Sequence, residues 1–175
     1  GFDAASTQVI AREAGLSTGL VHHHFASKAE VLDEVLRTLA AKLRGREAQL
    51  VGSYRGAWAE LNAFIDANLA LGAGASPHAA RAWMWLGAKA LEGGPLSEAY
   101  AQAQAERHLR LVRILRRLAK HGARRHGLRS LATDLLCLID GHFQLAATSE
   151  LVTPGTAAKR VRRSARLLLE VGVSR

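Results

Sequence analysis

The residues best able to do chemistry lie close together near the start of the chain. Ser17 and Thr18 offer hydroxyls, His22 and His23 offer ring nitrogens, Lys28 offers an ammonium, and Thr7 stands ten positions before Ser17. Groups of this kind bond phosphate oxygens and base edges. Gly19 would let a backbone approach a groove, and Leu20 could pack on a thymine methyl. His22, His23 and His24 are consecutive, so on a helix they point about 100° apart and cannot converge on one metal ion. Neither a metal site nor a cofactor is expected. Catalytic signatures are also missing: the chain has no Gly-rich phosphate loop, paired-carboxylate motif or nucleophile elbow, so it does not read as an enzyme.

The elements that must hold these groups are equally legible. Ala11 is small enough for a second helix to cross closely over the first. Gly15, four residues later, suits the left-handed position just past a helix end. Ser17 is placed to cap the next helix, although a direct DNA contact is an equal reading of its hydroxyl. Val21 should turn back onto Ile10 and Ala11. Two short helices joined by a tight glycine turn form a helix-turn-helix, whose second helix enters the major groove. Ser27-Lys28-Ala29-Glu30 then reads as a capping box opening a long helix with apolar residues at 31, 32, 35, 36, 39 and 43. Capping is the plain reading of Ser27, and a solvated side chain is the plain reading of Lys28.

The stretch Leu16-Ser17-Thr18-Gly19-Leu20-Val21-His22-His23-His24-Phe25-Ala26-Ser27-Lys28-Ala29-Glu30-Val31-Leu32 resembles the signature of the TetR family of bacterial transcriptional regulators. The resemblance implies an all-α protein with an N-terminal helix-turn-helix DNA-binding domain at about 1–45. A helical effector-binding and dimerisation domain at about 46–175 would follow. Lys28 matches the family's phosphate-contacting lysine. His22 stands where the family usually carries a tyrosine whose phenol touches a phosphate; a histidine can donate there with shorter reach. Gly1-Phe2 matches the end of the family's first helix, so that helix and its basic arm are expected ahead of this sequence. DNA contacts are expected from Thr7, Ser17, Thr18, Gly19, Leu20, His22, His23 and Lys28.

The chain has 175 residues, of which 49% are hydrophobic and only 3 are proline, and this favours long helices. Its net charge of +9 does not reside in the helix-turn-helix segment. Residues 1–50 balance Arg12, Lys28, Arg37, Lys42, Arg44 and Arg46 against Asp3, Glu13, Glu30, Asp33, Glu34 and Glu47. The excess lies in Arg107, Arg110, Arg113, Arg116, Arg117, Lys120, Arg124, Arg125 and Arg129, and again at Lys159, Arg160, Arg162, Arg163 and Arg166. Both blocks read as solvated helix faces. A single cysteine, Cys137, on an apolar helix face reads as a buried, inert thiol and suits a reducing compartment. No apolar run of eighteen residues and no signal peptide are evident, so a cytoplasmic protein without a membrane partner is expected.

Further helices are expected at about 56–72, 77–92, 95–121, 131–149 and 155–172. Gly52-Ser53 breaks the chain before them, Pro77 and Pro95 stand at first helical positions, and Gly93-Gly94 and Gly122 mark ends. The helix at 131–149 is apolar on more than one face and must bury more than one. By resemblance the last two helices form a homodimer, with Leu138, Gly141, Phe143, Val161, Ala165 and Leu168 at its interface and two recognition helices set for a palindromic double-stranded DNA operator. Arg81-Ala82-Trp83 and Leu138-Ile139-Asp140-Gly141-His142-Phe143 resemble, in short matches, the family branch containing the choline-responsive repressor of glycine-betaine synthesis genes. That likeness points to a small-molecule effector near Trp83 and Asp140, and Trp58 and Tyr100 are further candidates as aromatic residues able to face it. Trp83 and Trp85 point about 200° apart, so one at most faces a given pocket, and ordinary core anchoring is the plain reading of each tryptophan. Asp140 has three readings: a ligand carboxylate, a capping or interface residue, or the partner of an arginine. The leading reading is a homodimeric repressor released by its effector. The alternative is an all-helical ligand-binding or interaction protein with a degenerate DNA domain.

Overall fold

Serine caps, prolines at first helical positions and glycines with positive φ divide the chain into helices with short connections. The computed structural model describes residues 6–70, 75–119 and 127–170. Gly1-Phe2, the helix end expected at Gly122, and Lys120, Arg124 and Arg125 lie outside them. Among the described residues there are eight helices and no strand: α1 (Thr7–Glu13), α2 (Thr18–His24), α3 (Lys28–Val51), α4 (Ala59–Asn68), α5 (Pro77–Ala90), α6 (Pro95–Ala119), α7 (Leu128–Thr148) and α8 (Pro154–Glu170). None is long and apolar enough to cross a membrane.

Punctuation works locally. At α1 the Gly15 N–H donates to the Arg12 carbonyl and the Leu16 N–H to the Ala11 carbonyl, with Gly15 at φ 67°, which closes the helix as a Schellman motif. The Ser27 hydroxyl accepts from the Glu30 N–H at 3.2 Å, while the Glu30 carboxylate accepts from the Ala26 N–H at 2.8 Å. The box therefore reaches back one residue further than its standard form, and it pins the connection between α2 and α3. Three boundaries move by three residues or more from expectation, one of them the end of α4, which closes early at Asn68. α4 opens at Ala59 because the chain still turns at Gly56 (φ 78°), and α7 opens three residues early, directly after Gly127 (φ 68°).

Two apolar clusters stabilise the body, and α6 joins them. Leu32 and Leu36 of α3 meet Leu86 of α5 and Leu96 of α6 in the first. The second gathers Leu61, Phe64 and Ile65 of α4, Leu111 and Leu115 of α6, Leu135 and Ile139 of α7, and Val161 and Leu169 of α8. Burying each such side chain contributes about 1.5–3 kcal/mol. α3 packs along α4, α5 and α6, so the helix that follows the helix-turn-helix also forms a wall of the body. The domain boundary expected near residue 45 falls inside this one continuous helix.

Several expectations are corrected by this packing. Val161 and Ala165 are fully enclosed in their own chain and offer nothing to a partner. α8 has one apolar stripe, and that stripe is spent on α7 and α4, leaving Leu167 as its exposed apolar residue. Leu138, Phe143 and Leu168 are partly buried against the same core, whereas Gly141 has no atom of its own chain near its missing Cβ. Cys137 is exposed, not buried, because α7 turns Leu135 and Ile139 inward and 137 falls on the opposite face. The basic blocks are only partly solvated faces, since four of their arginines tie helices together. Arg107 pairs with Asp140, Arg110 with Glu47, Arg117 with Glu60, and Arg162 with Asp66.

Candidate functional site

The helix-turn-helix places its polar groups on one exposed surface. Ala11 and Val21 are buried between α1 and α2, 1% and 5% exposed, and this fixes the face α2 presents outward. That face carries Gly19, Leu20 and His23, with the exposed His22 and His24 on its flanks and Thr18 half-buried at its start. At 1.5 Å per residue, α2 is about 10 Å long, short enough to lie across a major groove about 12 Å wide. Gly19 has open space where a Cβ would be, which suits close backbone approach. The Ser17 hydroxyl accepts from the Leu20 N–H at 3.1 Å, so capping is its established role, and its own proton stays available to a phosphate. Ser6 caps α1 in the same way, accepting from the Val9 N–H at 3.3 Å. Sequence reading had passed over Ser6, although a serine three residues before Val9 is the usual signal.

One contact in this surface was not foreseen. The Thr7 hydroxyl and the His22 ring nitrogen Nε2 are hydrogen-bonded at 3.2 Å across fifteen residues. Both residues had been assigned separately to phosphate, and the fold joins them, which orients the imidazole where the family pattern carries a phenol. His23 and His24 meet edge to face at 5.3 Å between centroids. Lys28 is half-buried at the first position of α3, just beyond this surface.

A second site lies in the body. A cavity of about 130 Å³ opens between α3, α4, α5, α6 and α7. Its walls combine Leu39, Leu43, Trp83 and Phe143 with Lys42, Arg46, Asn68, Arg107 and Asp140. Of the four expected ligand residues, Trp83 and Asp140 line it and two do not. Trp58 half-buries against the core around α4, with the Arg166 guanidinium 5.4 Å from its ring centroid. Tyr100 turns onto Gly87, its hydroxyl 2.7 Å from where a Cβ would stand, and stacks obliquely on Trp83 at 5.3 Å. Burial raises its phenol pKa, and the nearby Asp140 raises it further. Phe143, expected at a dimer interface, faces this cavity instead.

Polar side chains at the cavity form a network. Asp140 accepts two hydrogen bonds from Arg107, at 2.6 and 2.9 Å, so the arginine-partner reading of this carboxylate is the one realised. Arg107 also donates from Nε to Asn68 at 2.6 Å and from Nη1 to Gln104 at 3.2 Å. Arg46 donates to the Ala67 carbonyl at 3.1 Å; burial lowers its pKa, and Asp66 partly opposes this. Glu47, buried in α3, pairs with Arg110. Sequence reading missed Arg107, Arg46 and Asn68, whose partners lie 21 to 39 residues away.

Comparison with known proteins bears on the helix-turn-helix and on the fold of the body. A family model described as bacterial regulatory proteins, tetR family, matches residues 1–35. The HTH-type transcriptional regulator BetI of Vibrio parahaemolyticus is 30% identical over 146 residues, covering 81% of this chain and 69% of that protein. A transcriptional regulator from Rhodococcus sp. Rha1 superposes with a TM-score of 0.79 at 25% identity, covering 99% of this chain and 89% of its own. A regulator from Saccharomonospora viridis, solved in complex with choline, superposes with a TM-score of 0.73 at 22% identity, over 97% of this chain and 87% of that one. The capped α1–α2 pair, its outward recognition helix and this relationship lead to one conclusion: the chain belongs to the TetR family and is a DNA-binding transcriptional regulator, a class without enzymatic activity.

Proposed function

We propose that this regulator is a homodimeric repressor, released from a palindromic operator when a small molecule enters the cavity of its body. One observation carries the reading: α3 is a single helix of 24 residues serving both sites. Its first turn is pinned to the end of α2 through Ala26, Ser27 and Glu30. About three to five turns further on, Leu39, Lys42, Leu43 and Arg46 line the cavity. A ligand that displaces α3 there moves the recognition helix at its N-terminal end, about 17–27 Å away by helix length. Release then requires that the ligand bind the displaced state more tightly than the DNA-competent one.

Dimerisation through α7 and α8 is supported by the apolar residues that they and their connection leave uncovered. Leu145 of α7, Leu151 of the connection and Leu167 of α8 are 42%, 77% and 53% exposed, and Leu145 lies one turn from Gly141, where a Cβ would meet open space. An isologous pairing there would present two recognition helices to two half-sites about 34–36 Å apart. Footprinting the full chain on DNA flanking its own gene tests the proposal. A protected inverted repeat with that spacing is the expected result. Uniform non-specific protection would overturn it in favour of a ligand-binding protein whose DNA domain has degenerated.

A further inference from the structure

The recognition helix carries its ionisable groups as histidines. α2 holds no lysine, arginine, aspartate or glutamate, and His22, His23 and His24 are all exposed on it. α1, the element packed on α2, adds Arg12 and Glu13, one charge of each sign. Lys28 and Glu30 stand on the first turn of α3, where the Glu30 carboxylate accepts from the Ala26 N–H. Among the described residues ahead of Lys28, this surface therefore has no net fixed charge. Duplex DNA nevertheless presents one negative charge per about 1.7 Å of its axis. Protons on imidazole are the one source of side-chain charge that α2 has, and imidazole is the side chain that ordinarily titrates between about pH 5 and 8.

His22 is the ring placed to use such a proton. Its Nε2 lies 3.2 Å from the Thr7 hydroxyl, and the two are hydrogen-bonded. In a neutral ring Nε2 can accept, and the hydroxyl then spends its own proton on the ring. In the imidazolium both nitrogens carry hydrogen and neither accepts. Nε2–H must then donate to Thr7 Oγ1, which frees the hydroxyl proton, and Nδ1–H is a second donor on the same exposed ring. One proton from solvent thus converts a self-satisfied pair into a cation with two donors for phosphate oxygens. His23 and His24 are less suited to this, because their rings meet edge to face at 5.3 Å and two imidazoliums at that separation repel.

We propose that DNA binding by this regulator is proton-coupled through His22, which takes up a proton from solvent as its ring and the Thr7 hydroxyl close on a backbone phosphate. The inference rests on the reading of α2 as the DNA-facing helix. Affinity should rise as pH falls, because the DNA-bound state holds more protons than the free one. One proton per contact changes affinity by at most about tenfold per pH unit and protomer.

Fluorescence anisotropy of the full chain on a labelled duplex from the DNA flanking its own gene tests this, at about pH 6 and about pH 8 and over a range of salt. The unaltered protein should bind at least about fivefold more tightly at the lower pH, with a salt dependence steeper there by about one unit per protomer. His22→Gln keeps a side chain able to bond Thr7 but takes no proton. It should lose most of the pH dependence and the added salt slope, with an unchanged circular dichroism spectrum. Equal affinity of the unaltered protein at the two pH values would overturn the proposal. Loss of the same factor at both pH values in His22→Gln would also overturn it, leaving His22 on DNA as a neutral contact. A His22→Gln chain that binds as the unaltered one does at both pH values would place the ring away from DNA, and the interface reading of this flank would fall with the proposal.

Discussion

Asp140→Ala should cost far more stability than Glu60→Ala, although each removes one carboxylate from an arginine. Asp140 accepts two hydrogen bonds from Arg107, whose side chain is 7% exposed against 47% for Asp140. Glu60 faces Arg117 with both side chains near half exposure, 41% and 55%. Removing one partner of a fully buried pair costs about 3–5 kcal/mol, because the other charge is left desolvated. Asp140 is half open, and water entering the vacated space recovers part of that, so about 2–3 kcal/mol is expected. The guanidinium cannot simply swing into solvent, since Asn68 and Gln104 hold its other nitrogens. An exposed pair such as Glu60 with Arg117 contributes about 0.2–1 kcal/mol. For a chain of this length each kcal/mol moves Tm by roughly 2–4 °C. Asp140→Ala should thus lower Tm by about 4–12 °C and Glu60→Ala by less than about 4 °C. Urea titrations followed by circular dichroism, at one fixed protomer concentration, supply the free energies. If the two variants lie within about 0.5 kcal/mol of each other, Arg107 is not held as a desolvated charge, and the account of the cavity floor is wrong.

Five further outcomes follow from the same structure. Lys28→Ala should weaken DNA binding about equally for all sequences and flatten its salt dependence by about one unit per protomer contact. Substitutions at Thr18 or His23 should instead alter base preference by about 1–3 kcal/mol per lost contact, measured by competition between operator variants. Leu145→Asp, at a residue exposed within its own chain, should give folded monomers by light scattering; an intact dimer would put the interface elsewhere. The chain's two tyrosines should each be less than half ionised at pH 10.0 in absorbance titration, since burial raises both and Asp66 helps lift Tyr54 to about 12. Burial also raises the Glu47 carboxyl above 4.5 despite Arg110, so the folded chain holds this proton more tightly than the unfolded one. Stability from this group should therefore fall as pH rises from 4.5 through the folded value, and Glu47→Gln should remove that slope from pH-dependent melting curves.

What could be read from the sequence divides by the range of the interactions. The helix-turn-helix was legible because its determinants are local. Gly15 and Leu16 close α1 through bonds to residues three and five positions back, Ser17 and Ser27 accept from N–H groups three residues ahead, and the apolar spacing of α3 places Leu32 and Leu36 inward. The cavity was half legible. Trp83 and Asp140 emerged from a resemblance, while Trp58 and Tyr100 were added on residue type, and type does not say which neighbour a ring will meet. Gly87 decides the fate of Tyr100, and nothing near Tyr100 in sequence announces it.

The ion pairs were illegible for a related reason. Arginines spaced along α6 look like a solvated stripe until Glu47, Glu60 and Asp140, 33 to 63 residues distant, are folded against them. A weak signal did exist: Glu47, Asp66 and Asp140 are isolated acids on otherwise apolar helix faces, and a lone acid turned toward a core requires a cation. Arg107, held by Asp140, Asn68 and Gln104, is thereby fixed in the cavity wall, and α3 brings Leu39, Lys42, Leu43 and Arg46 to the same wall. The helix that supports the recognition element is therefore also the one that a molecule in the cavity would touch along more than one turn.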